Sequence, residues 1–450
     1  LKSAGATALE SGGAVSVIGS VESGADLTVI AENDFGFGTA TVAGTAILTS
    51  NTGSISGTSI ESAADLTAVA ESNIVFGTAT VAGTATLTSN TGSINGTNLT
   101  ATGAVLKAGT GIGDVAVFPI SVEALSATTT SGSIHIENDR AGDVAVSRLS
   151  AVNGDVRFRQ QTAGSLRVDS VAVNGGDALI DLAAADDAAL TVTNLASVEL
   201  MTVRSSGSVA LNGAIRLVGP DAAGEAGLNV EAGSTIAMTS GATISTQGSH
   251  ARFVADGDIS LTGISAGAGV VSVVSRTGSL LDSGEVRTDV QTSAMRIQVS
   301  GGVGRLGQGV DDALEVHTPV LSLVSGQEGV NILNSRAVEI GVVGARVQAV
   351  DFSGGSQAVS DADQAGLVSS GTAVLRTTAG DVVISETVDV EGGLKLAAGD
   401  RLVLNADLEA ASASLRAVNE VIIGADVSIS ALGTLIIDSA SGAVTMDASS

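Results

Sequence analysis

Aliphatic residues stand at every second position in short runs along this chain, and the runs return in register. Toward the C-terminus Val382 and Ile384 recur as Leu402 and Leu404, then as Val421 and Ile423. A second set, Val388, Leu408 and Val427, and a third, Leu394, Leu415 and Leu435, occupy matching places in the same units of about 20 residues. Period-two alternation marks a strand with one buried face. Each unit therefore reads as one turn of three short strands.

The middle of the chain keeps the pattern with a slightly longer step. Ile134, Val156, Ala178 and Val198 align at nearly constant intervals, as do Ile136, Phe158, Ile180 and Leu200. Alternation then sends His135, Arg157 and Arg159 outward. Gly-Asp or Gly-Ser precedes many of these strands, as at Gly142-Asp143, Gly154-Asp155 and Gly257-Asp258, where a corner needs a permissive backbone.

The N-terminal part repeats itself outright. Glu22 to Thr58 is written again from Glu61 to Thr97, with 28 of 37 positions identical. Two coils fit in that period. A unit of this size cannot bury its apolar face alone, so coils must stack. The expected fold is all-β: a parallel β-helix of about 19–24 residues per coil and roughly 20 to 22 coils. It is expected to run over residues 1–450 as one continuous segment. Near-duplicate double coils fill 1–107, the longer-stepped coils 108–300, loop-bearing coils 301–366, and the shorter C-terminal coils 367–450. The irregular stretches lie at Gly219 to Gly227, Gly301 to Ala313 and Ser353 to Gly366, and read as loops leaving the stack rather than as linkers.

Composition agrees. The chain has 58 Gly, 3 Pro and 7 Phe, with no Trp, Tyr or Cys, which suits tight turns between small strands and rules out disulfides and cysteine zinc sites. A net charge of −27 repels nucleic acid and anionic lipid. No apolar run approaches the length of a membrane span, so no membrane insertion is expected. The chain opens at Leu1 without a Met and stops in mid-repeat, so it reads as a piece of something larger. Neighbouring coils of the same protein are expected to continue the stack, and the isolated piece is expected to associate end to end or fray.

With the coils in view, Ala108 to Asn138, its echo from Ser300 to Asn334, and Arg276 to Gly284 resemble the repeat regions of very large secreted bacterial surface proteins of the filamentous-haemagglutinin type. The resemblance implies a right-handed parallel β-helix at the cell surface or outside the cell, serving as a stalk or adhesive surface. Its implied partners are other cell surfaces, glycans or further copies.

Motifs that look chemical do not stand out from chance. Gly302 to Gly307 spells GxGxxG and Gly263 to Gly267 spells GxSxG, but each is expected about once in a chain this rich in Gly, and neither is followed by a helical pattern. The 3 histidines, His135, His250 and His317, lack a second His at ligand spacing. Asp311, Asp312, Asp361 and Asp363 are the candidates for an adventitious calcium ion, with solvated loop carboxylates as the preferred reading. No resident cofactor is expected. The strongest catalytic candidate is the outward set Glu137, Arg157, Arg159 and Asp181. Acid, base and acid in a column is what structural charge pairing produces, so the expectation is a non-enzymatic structural segment. A carbohydrate-active β-helix enzyme and a glycan- or cation-binding module are the alternatives.

Overall fold

The computed structural model describes residues 1–183, 188–197, 199–218, 227–283, 287–307 and 312–447. These residues form strands and turns with no α-helix, and the stacked strands pair in parallel in about 20 turns. No helix among them is long and apolar enough to cross a membrane. The chain divides into two compact units. One comprises residues 1–207 with 350–355, the other 208–349 with 356–450.

In the first unit, short and long strands alternate. Leu27–Ala31, Ala46–Ser50, Leu66–Ala70 and Thr84–Ser89 stack in one ladder. Phe35–Val42, Ile55–Ser62, Ile74–Val81 and Ile94–Thr100 stack in the next. One column runs Leu27, Ala46, Leu66, Ala85. Leu66 is the duplicate of Leu27, and Ala46 stands between them, so the duplication is two coils. Each long strand serves two faces. Ile55 and Ile60 are both 0% exposed although they stand an odd number of positions apart, so the alternation resets between them and the strand bends. Gly57 sits at this bend, where a Cβ would strike the Phe37 ring. Early in the second unit the three faces are separate strands, as in Ile236–Met238, Thr243–Ser245 and His250–Ala255, whereas Val388–Ala398 and Leu408–Ala417 again serve two faces each.

The core is the aliphatic column that alternation specifies, and its corners are closed by buried hydroxyls and amides. Ser62 Oγ donates to the Gly44 carbonyl at 2.9 Å, and Ser197 Oγ to that of Gly176 at 3.0 Å. Asn138 Nδ2 donates to Gln160 Oε1 at 2.8 Å one coil on. Buried polar groups paired along the stack hold one coil on the next without unsatisfied atoms at these corners.

Several registers differ from the expected ones. Leu402 does pair with Val421, in parallel. The column Val388, Leu408 continues to Ile429, not Val427, because Gly424 to Asp426 widens the turn, with Asp426 at φ 62°. Leu394 pairs with Ala413, and Leu415 with Leu396, since a bulge between Val390 and Gly393 moves the register. Ala178 pairs with Met201 and Ile180 with Val203, so Leu200 precedes the strand it was assigned to. Val198 lies outside the described residues, as do 219–226 and Asp311.

The stretch read as a loop at Ser353 to Gly366 is largely a strand. Val342–Val350 and Ser356–Ala365 form a separate two-stranded sheet. In the turn that joins them the Asp351 N–H donates to the Gly355 carbonyl at 2.9 Å. Val303 of the GxGxxG match makes isolated parallel bridges to Leu280 and Val330, and Ser265 of the GxSxG match lies in the short strand Ile264–Ser265. Both matches are solenoid backbone.

Candidate functional site

The strand Ile134–Asn138 carries His135 and Glu137 outward, and Val156–Gln160 carries Arg157 and Arg159 outward one coil later. Ile134, Ile136, Val156 and Phe158 are 0% exposed and take the inner face, which leaves the other positions no alternative. Glu137, Arg159 and Asp181 fall directly in register.

Within this column Arg159 turns to Asp181, not to Glu137. Its Nε donates to Asp181 Oδ2 at 2.8 Å. Arg204, one coil further, donates to the same carboxylate at 2.8 and 3.0 Å. Asp181 is only 1% exposed, so two guanidinium groups offset the cost of burying one charge. Arg157 is held in the same way, by Asp155 at 2.8 Å and by the Gly354 carbonyl at 3.2 Å.

Residues 350–355 roof these side chains. The Phe352 ring meets His135 edge-on at 4.6 Å between centroids, and the Arg159 guanidinium carbon lies 4.1 Å from the Phe352 centroid. Between this turn and the loop Gly113 to Val117 opens a cleft of about 920 Å³, floored by His135, Glu137, Arg157 and Arg159. His135 Nε2 and Arg157 Nε are enclosed there without a hydrogen-bond partner among the described residues.

Burial and then the Arg157 charge depress the His135 pKa, with the Phe352 backbone acting the other way, so the ring is neutral near pH 7. At a corner of the same stack, burial pushes Asp177 up to about 6, with Asp155 and Glu199 adding repulsion and the Leu200 N–H opposing it. Asp351, at the turn, is held below the usual carboxylate range by the Ser353 hydroxyl and the Gly354 and Gly355 N–H groups. Both arginines are committed to carboxylates and the aromatic face is covered by a guanidinium. The arrangement neutralises charge in place.

The sequence placed Glu137, Arg157, Arg159 and Asp181 on one face, and the structure brings them together there. It gave no sign of Phe352, which arrives from a remote segment. Arg204 was legible in principle, because it follows Asp181 by nearly the same step that separates Asp181 from Arg159.

Of the calcium candidates, Asp361 is no solvated loop carboxylate. It lies in the second unit's two-stranded sheet, bound to Arg252 Nε at 3.1 Å and accepting from Ser272 Oγ at 2.7 Å. Asp363 is exposed in the same strand, and Asp312 is half-buried. A different set has oxygen atoms within 4.8 Å of one another: Asp282, Asp289 and Glu315, where Asp289 Oδ2 also accepts the Glu315 N–H at 3.0 Å. Their carboxylate oxygens are donors of the type that suits a hard divalent cation. Coil stacking brings them together, and no short motif announces them.

Residues 10–212 match the family described as Toastrack DUF4097, a likeness over somewhat less than half of the 450-residue chain. No curated protein and no solved structure matches the chain significantly. The match adds to the coils in identifying a repeat protein.

Proposed function

We propose that this chain is a structural segment of a bacterial surface fibre or adhesin, outside the cell, that projects or presents other regions. One observation carries the reading: outward polar groups at many positions bond to the neighbouring coil. Asn51 donates to Glu32 and, one duplicate later, Asn90 to Glu71, both at 3.0 Å. Asp181 binds Arg159 and Arg204, Asp381 binds Arg401 at 2.7 Å, and Asn419 donates to Asp400 at 2.7 Å. A surface built this way staples coils together, as a spacer requires, and the acidic excess keeps a Val-rich stack solvated.

Antibodies raised against the chain are expected to label intact, unpermeabilised cells of the source organism, and brief protease treatment of those cells is expected to abolish the label. Labelling that appears only after lysis would overturn the assignment.

A further inference from the structure

The first unit carries a second concavity, a groove of about 1060 Å³ that runs across successive coils at one corner. One wall is a single register column: Glu22, Thr41, Glu61, Thr80 and Thr100. The floor beside it is exposed backbone bearing at most a methyl group, as at Gly24, Ala43 and Ala63. Lys2 stands at one end, paired with Glu22, and Arg140 at the other, paired with Glu123.

The duplication keeps the residue types of this wall. Thr41, Glu61 and Thr80 are exposed, and their side chains make no hydrogen bond or ion pair among the described residues, so the fold does not need them. Nine of the 37 aligned positions differ between the copies, including the buried pairs Val29/Ala68 and Phe35/Ile74. Glu22 and Thr41 nevertheless recur as Glu61 and Thr80, and among the aligned groove residues the difference is Gly24 against Ala63.

The wall offers a hydroxyl or a carboxylate at every coil, about 4.8 Å apart, and a carboxylate at every second coil, about 9.6 Å apart between Glu22 and Glu61. A β-linked ribbon of sugars flips each ring relative to the last, so a given substituent faces one side at every second ring. Threonine hydroxyls suit sugar hydroxyls, carboxylates suit ammonium groups, and a floor of small residues admits a flat ring. The net charge of −27 turns polyanionic glycans away. We propose that this groove binds a linear, β-linked amino-sugar polysaccharide lying across the coils, with one ammonium group on Glu61 and the alternate one displacing Lys2 from Glu22.

The proposal goes beyond the scaffold reading and is tested apart from it, by calorimetry on the purified protein with β-1,4-linked glucosamine oligomers. The hexamer is expected to bind in a salt-sensitive way, with the dimer and the unaminated glucose hexamer much weaker. Glu61→Gln is expected to weaken the hexamer about fivefold, as loss of a partly exposed charge pair would. Thr41→Val with Thr80→Val should weaken it as well. Glu391→Gln, an exposed acid elsewhere, is expected to change nothing. Equal effects of Glu61→Gln and Glu391→Gln, a dimer as tight as the hexamer, or no binding would each overturn the proposal.

Discussion

The guanidinium carbon of Arg159 lies 4.1 Å from the centre of the Phe352 ring while its Nε holds Asp181 at 2.8 Å. One outward side chain is thus pinned at one end by its own stack and capped by a residue from a distant turn. That double hold makes the consequences of changing either partner specific.

Removing the cap by Phe352→Ala opens His135 to water. The pKa of His135 is depressed chiefly by burial, so it is expected to rise toward the ordinary histidine value, and the lost aromatic contacts should cost about 1 to 2 kcal/mol. NMR titration resolves this in a chain with 3 histidines, with His135→Gln for assignment. An unmoved His135 resonance would show that the roof does not cause its burial.

Asp181→Asn leaves two guanidinium groups facing an uncharged amide in an enclosed place. A loss of about 3 to 5 kcal/mol is expected. Arg204 is 42% exposed, and Arg204→Gln should cost less than about 1 kcal/mol. Urea midpoints of the two variants, compared at neutral pH, separate these outcomes. Equal losses would mean that the buried carboxylate is not the centre of the column.

Asp177 ties stability to pH. Its folded pKa, near 6, is above its unfolded value of 3.8, so between these values the folded state binds more protons. Its contribution to stability is therefore greatest at acid pH and falls as pH rises from about 4 to 6. Asp177→Asn keeps an acceptor for the Leu200 N–H but cannot ionise. The variant is expected to be more stable than the parent at pH 8 and to match it at pH 4, by denaturant midpoint. A difference that is the same at both values would remove ionisation as the cause.

Deleting Glu22 to Ile60 joins Val21 to Glu61 and removes two whole coils. Val21, Ala40 and Ile60 share one column, so every remaining strand keeps its register, and a soluble β-rich protein with one cooperative transition is expected. Removing only Glu22 to Ala31, half a coil, puts strands of unlike phase on one another and should give insoluble or non-cooperative material. Circular dichroism during thermal melting distinguishes the two.

How much of the site was legible follows the same physics. Glu137, Arg159 and Asp181 were readable as a column because all three lie on regular strands of one period. Which acid Arg159 chooses was not, since Arg204 adds a second cation on the far side of Asp181. The triad of Asp282, Asp289 and Glu315 was invisible because its members are spread over successive coils at spacings that match no local ligand pattern.

Period-two alternation and the N-terminal duplication were enough to determine parallel coils, their length and their inner face, because a strand one coil away sees only one register in which both apolar sets are buried. Where turns lengthen, that rule loses its grip. Val427 gave way to Ile429, and Leu394 to a pairing with Ala413, because a longer turn or a single bulge leaves the buried face unchanged in character while moving the partner. Only the tertiary structure decided that Phe352 covers Arg159 and His135 and that Asp361 binds Arg252. These contacts join segments far apart in the chain, and no periodicity links them. Local pattern encodes what repeats, whereas a single remote contact depends on where the whole backbone has already gone.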